Sequence, residues 1–142
     1  MRPRSAVAEW KGNLQEGEGT MSVASGVLEG ASYSYESRFE EGAGSNPEEL
    51  IAASHAGCFS MALASILSES GHEPRSVRTT ARVRLEATDA GPTITRSDLE
   101  TEVSVDGVEG EEFQRFAEQA KEGCAVSRAL GAIELGLEAR LV

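Results

Sequence analysis

Cysteine is scarce in this sequence. There are two, Cys58 and Cys124, 66 positions apart in 142 residues. In a cytosolic protein of this size a lone structural disulfide would be unusual. Histidine is equally scarce, with only His55 and His72. Two cysteines and two histidines make a poor metal inventory and stand in no known zinc-ligand spacing, so no metal cofactor is expected. Both histidines read as structural or solvated. Aromatic residues make up 5% of the chain, so the core must rely on aliphatic and small side chains. Basic residues are outnumbered, 13 Lys and Arg against 24 Asp and Glu, for a net charge of -11. An acidic surface without a basic stripe repels phosphate backbones and anionic lipid, which argues against nucleic-acid and membrane-surface roles. Repeats, low-complexity tracts and long linkers are all missing, and the length suits one domain over residues 1–142. The opening "MRPRSAVAEWKG" has basic residues but no apolar run after them. No secretory signal is expected there, and the expected location is the cytoplasm.

What the sequence does have is a long apolar helix. The stretch "NPEELIAASHAGCFSMALASIL", residues 46–67, carries no Asp, Glu, Lys or Arg after Glu49. It is long enough to span lipid. However, Ser54, His55, Gly57, Ser60 and Ser65 interrupt it and no basic cluster flanks it, so it reads as a helix buried in protein. Asn46 is a good N-cap, Pro47 suits the first helical position, and Glu48 and Glu49 favour the positive end of the helix dipole. Glu49 also stands where a capping-box carboxylate reaches back. A helix apolar on nearly all sides must be covered on nearly all sides, and in a chain this short a partner subunit is the expected cover.

Around this helix the pattern is one of strands. "SAVAEWKG" and "TMSVASGVLEG" are strands broken by glycines, and "SYSYESRFE" alternates Tyr33, Tyr35 and Phe39 against polar residues. "SVRTTARVRLEAT" puts Val77, Thr79, Ala81, Val83 and Leu85 on one face. "ITRSDLETEVSV" does the same with Leu99, Thr101, Val103 and Val105. "EEFQRFAEQAKEG" is an amphipathic helix with a stripe of Phe113, Phe116, Ala117 and Ala120. A short helical turn "AVSRALG" and a closing strand "AIELGLEARLV" complete the chain. The class is α+β, antiparallel strands with segregated helices.

The two thiols read differently. Cys58 lies three turns into its helix, beyond the reach of the dipole. Burial alone would make it inert, so a nucleophilic Cys58 needs a cation from elsewhere in the fold. Otherwise it is a small buried hydrophobe. Cys124 follows Gly123 and precedes a helical stretch, where backbone N–H groups favour a thiolate. By position alone Cys124 is the better candidate for the reactive thiol, and whether the two meet in space stays open.

"NPEELIAASHAGCFSMAL", "KEGCAVSRAL" and "IELGLEARL" resemble the osmotically inducible protein C and organic hydroperoxide resistance family (OsmC/Ohr) over essentially the whole chain. "WKGNLQEGEGT", "SGVL" and "SRFEEGAGSNPEEL" match its OsmC branch. The resemblance implies a single OsmC-like domain and an intertwined homodimer with two active sites at the subunit interface. It implies a cysteine-based peroxidase acting chiefly on organic hydroperoxides in oxidative or osmotic stress, needing no metal or haem and reduced by an external dithiol of lipoyl or thioredoxin type. The peroxidatic cysteine matches Cys58, the resolving cysteine Cys124, the arginine Arg38, expected to be the cation that lowers the Cys58 pKa, and the glutamate Glu48, expected to pair with that arginine. The pair would form a disulfide during turnover. One departure is Ala125, where the family usually has proline, and a looser first turn with slower resolution is expected. The helical wheel agrees with one assignment: Glu48 stands about 80° from Cys58, and Glu49 roughly opposite it. Two other readings are a non-enzymatic dimeric stress or ligand-binding protein, with both cysteines structural, and a thiol redox sensor.

Overall fold

The computed structural model describes all 142 residues, in two compact units, residues 1–50 and 51–142. In the first unit, β1 (Ala6–Lys11), β2 (Glu18–Val23) and β3 (Ala31–Tyr33) form an antiparallel sheet in that order. Its register places Gly19 between Trp10 and Tyr33. The two rings meet over that glycine with centroids 5.3 Å apart, and a Cβ there would stand 2.5 Å from the Tyr33 ring. Any side chain at position 19 would break the stack.

The stretch after β3 departs from the expected strand. Tyr35–Phe39 is a short helix, α1. Ser34 caps it: the Ser37 N–H donates to the Ser34 hydroxyl, and the Ser34 N–H donates to the Ser37 hydroxyl. This reciprocal cap is satisfied locally, which a strand end would not be. Tyr35 and Phe39, read as strand alternation, are also an i,i+4 pair, and their rings meet at 4.9 Å. Arg38 is therefore a helical residue rather than a strand residue.

The long helix, α2, runs from Pro47 to Glu69 as the apolar stretch predicts. Asn46 caps it, its side-chain oxygen accepting from the Glu49 N–H at 2.7 Å. The Glu49 carboxylate accepts from the Ser45 hydroxyl. In the second unit α2 buries His55, Phe59, Leu63 and Leu67, one residue per turn. By length and composition α2 could cross a membrane, yet this face packs into a protein core with Leu99, Val103, Val108, Phe113, Ala120 and Cys124.

The second unit is built on β4 (Ser76–Thr88) and β5 (Gly91–Ser104), an antiparallel hairpin with a register shift between Arg84 and Leu85. The chain then forms α3 (Gly110–Gly123) and α4 (Ala125–Ala129), and returns as β6 (Glu134–Leu141). β6 pairs with β5 in parallel, the one parallel pairing in an otherwise antiparallel pattern. The α3 stripe is as expected, with Phe113, Ala117 and Ala120 buried. Polar bonds also position α2. The Ser60 hydroxyl donates to Thr79 at 2.7 Å, and Thr79 bonds Thr101 at 2.9 Å, which ties the helix to β4 and β5 two residues beyond Cys58.

Candidate active site

Cys124 sits at the junction of two helices, ending α3 and opening α4. Its N–H donates to the Ala120 carbonyl, and its own carbonyl accepts from the Arg128 N–H. Those bonds hold its side chain inside the core, where it is 1% exposed. Cys58 is half-buried on α2 and packs against the same cluster. Both are free thiols, and a hydrogen bond joins their sulfurs. The fold therefore closes the question the sequence leaves open: two thiols far apart in the chain meet.

Their surroundings separate them. Burial is the largest influence on Cys58 and pushes its thiol up. The hydrogen bond from Cys124, the N–H groups of Val126 and Ala125, and the positive charge of Arg128 together outweigh it, and Cys58 lies below the ordinary thiol value. At Cys124 burial again comes first and pushes up, and the bond to Cys58 adds to it. The Ser127 N–H and hydroxyl and the Val126 N–H oppose this without prevailing, and Cys124 lies above the ordinary value. None of those N–H groups makes a full cap bond to the Cys124 side chain. The N–H groups that open α4 are thus divided: Ala125 serves the sulfur of Cys58, Ser127 that of Cys124 and Val126 both, yet Cys58 is the thiol that ends low, reversing the order that chain position suggests. The cation that Cys58 needs is present in its own unit as Arg128.

Arg38 and Glu48 form a second pair, within residues 1–50. The Arg38 Nε and Nη2 donate at 3.2 and 2.9 Å to one carboxylate oxygen, Oε1. The guanidinium grips that oxygen instead of spanning both, and Oε2, buried, has no partner within the chain. The carboxylate side chain is 9% exposed and the arginine 35%. Local bonds set this geometry. The Asn46 amide donates to the Ser37 carbonyl, and the Ser37 hydroxyl donates to the Ser45 carbonyl, so α1 is fastened to the start of α2. Arg38 also lies over the Phe39 ring, 5.2 Å from its centroid.

Sequence reasoning missed one cluster. His55 is completely buried. Its Nδ1 bonds the Ser97 hydroxyl at 2.7 Å and its Nε2 the Ser127 hydroxyl at 2.8 Å. Burial lowers its pKa, which favours the neutral ring at pH 7. The available signal was a histidine inside an apolar helix, since a buried polar group must find partners.

The OsmC-like protein family model matches residues 40–138. Peroxiredoxin OsmC of Escherichia coli (strain K12) is 47% identical over 134 residues, which cover 94% of this chain and 93% of that protein. The chain belongs to the OsmC-like protein family. An organic hydroperoxide resistance protein from Elizabethkingia anophelis is similar in structure, with a TM-score of 0.72 and 26% identity over 97% of this chain and 96% of that one. An OsmC-like protein from Vibrio cholerae shares the fold at a TM-score of 0.76 and 19% identity, over 99% and 100% of the two chains.

The OsmC resemblance pointed to Ala125 as a departure from proline, and the structure gives that residue a consequence. Its N–H faces the Cys58 sulfur, and proline has no N–H. Cys124 at φ -60 and ψ 128 already has the extended backbone that a following proline demands. Ala125→Pro is therefore expected to fold normally and to raise the Cys58 pKa. Thiolate absorbance against pH measures this, and an unchanged titration would remove Ala125 from the account.

Proposed function

We propose that this chain is a thiol-dependent peroxidase that reduces organic hydroperoxides, and hydrogen peroxide more weakly, with Cys58 as the attacking thiol and Cys124 as the resolving one. The observation that carries this reading is the pairing itself: two hydrogen-bonded thiols, with the half-buried one held low and the buried one held high. The Cys58 thiolate attacks the outer peroxide oxygen. An S–O bond forms as the O–O bond breaks, and the alkoxide leaves as alcohol after taking a proton. The Cys124 sulfur then attacks the sulfenic acid. An S–S bond forms, the S–O bond breaks, and the Cys124 proton departs with the hydroxide as water. An external dithiol, of lipoyl or thioredoxin type, reduces the disulfide by exchange and is itself oxidised. The cycle runs on thiols alone and requires no metal or haem. Arg38 stabilises charge on the leaving oxygen, and Glu48 orients it.

Reduced protein given one equivalent of an organic hydroperoxide is expected to lose both thiols and gain an intramolecular Cys58–Cys124 disulfide, read by thiol titration and peptide mapping. Survival of both thiols in excess peroxide would favour a binding protein with structural cysteines.

The working form is a cytoplasmic homodimer. In the single chain α2 leaves Ala53, Gly57 and Met61 exposed, with Met61 77% accessible. A large apolar side chain in a strip of small residues is a surface that a second subunit would cover. Light scattering at micromolar concentration should return twice the chain mass, and a monomer in reduced native buffer would contradict this.

A further inference from the structure

The peroxidase reading leaves the buried polar cluster behind the thiols without a role. His55 lies three residues before Cys58 on α2, and its two ring nitrogens reach hydroxyls on two other elements, Ser97 of β5 and Ser127 of α4. His55 and Ser97 are fully buried and Ser127 is 3% exposed. Such a cluster is costly to bury, and purely apolar residues would fill the same space. Its far end is occupied: the Ser127 hydroxyl also faces the Cys124 sulfur.

We propose that His55 is a positioning residue for the second half of the cycle, holding the Ser127 hydroxyl against the Cys124 sulfur through a Ser97–His55–Ser127 bridge. This inference rests on the peroxidase reading above. A neutral imidazole has one donor and one acceptor nitrogen. With the proton on Nε2, the ring donates to the Ser127 oxygen, Ser97 donates to Nδ1, and the Ser127 hydroxyl proton is free to point at sulfur. With the proton on Nδ1, the ring donates to Ser97, the Ser127 proton turns to Nε2, and the Ser127 oxygen is left to accept from the Cys124 S–H. Both arrangements keep the serine between ring and sulfur, and both fix the direction of the Cys124 side chain. The bridge therefore fits a sulfur that is a protonated thiol before the condensation and sheds its proton during it. It moves no net proton itself, because the thiol proton leaves with the sulfenic hydroxide as water. Since the ring is neutral, its effect is orientation and not charge. Cys58 draws on the hydrogen bond from Cys124, the N–H groups of Ala125 and Val126 and the charge of Arg128, and is bonded to no member of the bridge itself.

The test separates the two steps in the full-length reduced protein, using cumene hydroperoxide as probe. Sulfenic acid formation is followed by rapid-quench trapping with a cyclic dione, and disulfide formation by loss of the second thiol. In Ser127→Ala, disulfide formation is expected to slow about tenfold, the scale of one hydrogen bond, while sulfenic acid formation, which feels Ser127 only through Cys124, slows far less. More Cys58 is then oxidised to sulfinic acid. Ser127→Thr, which keeps the hydroxyl, restores the second step. His55→Gln, able to reach only one of the two serines, falls between. Should His55→Gln not fold, the serine pair still decides, because neither variant changes the helix that carries Cys58. Unchanged disulfide formation in Ser127→Ala overturns the inference, as does equal slowing of both steps, which marks a purely structural role. If the unaltered protein forms no Cys58–Cys124 disulfide, the peroxidase reading itself fails and this inference with it.

Discussion

Cys58→Ser is expected to abolish peroxide consumption, a loss of about a thousandfold or more, because an alcohol at this site has no anionic form near neutral pH to attack with. Cys124→Ser should behave quite differently. The first equivalent of hydroperoxide is still consumed rapidly, since the Cys58 thiolate remains. The reaction then stalls, because no second sulfur stands beside the sulfenic acid, and further peroxide carries Cys58 to sulfinic acid. Removing Cys124 also removes the hydrogen bond that helps to hold Cys58 low, so that first turnover should be somewhat slower at low pH than in the unaltered protein. A burst followed by a plateau, with intact-mass measurement of the oxidised cysteine, checks both halves. A Cys124→Ser protein that loses even the first turnover would exchange the two roles.

Arg38→Ala is the second large effect, a fall of about a hundredfold in the rate of peroxide attack. The guanidinium is committed to a nine-tenths buried carboxylate through two hydrogen bonds to one oxygen, which leaves Nη1 free to face another anion. Arg38→Lys should recover only part of the rate, because a single ammonium cannot hold Glu48 and also meet the leaving oxygen. Glu48→Gln should cost less, about tenfold, since the amide oxygen still accepts from Arg38 while the charge that fixes the guanidinium is gone. Single-turnover rates with the far-ultraviolet spectrum as a folding control measure these changes. An Arg38→Ala enzyme with an unchanged rate would leave Arg128, already beside Cys58, as the only activating cation.

Features encoded over short spans were legible in the sequence. Asn46, Pro47 and the run of small apolar residues specify α2 locally, and strict alternation specifies β4 and the inner face of β5. The error at α1 has the same origin. Tyr33, Tyr35 and Phe39 fit a period of two, and the signal that overrides it is a capping box with serine at both ends in place of the usual Glu or Gln. The thiol pair was legible only through family resemblance, because residue spacing says nothing about whether α4 returns to α2. Nor does it say which sulfur the α4 N–H groups meet. Position favoured Cys124, but that side chain is buried in the core, where desolvation outweighs the N–H groups of Ser127 and Val126, while those of Ala125 and Val126 also reach Cys58. The partners of His55 were hidden for the same reason, since Ser97 and Ser127 lie 42 and 72 positions away.

In the proposed cycle the fold makes Cys58, and not Cys124, the activated thiol. Alkylation of the reduced protein at a series of pH values, with each cysteine followed separately by peptide mapping, tests it most directly. Cys58 should react at pH values below those at which a free cysteine does, and Cys124 only at higher pH. Reaction of Cys124 first, or of both together at the pH of an ordinary thiol, would contradict the account.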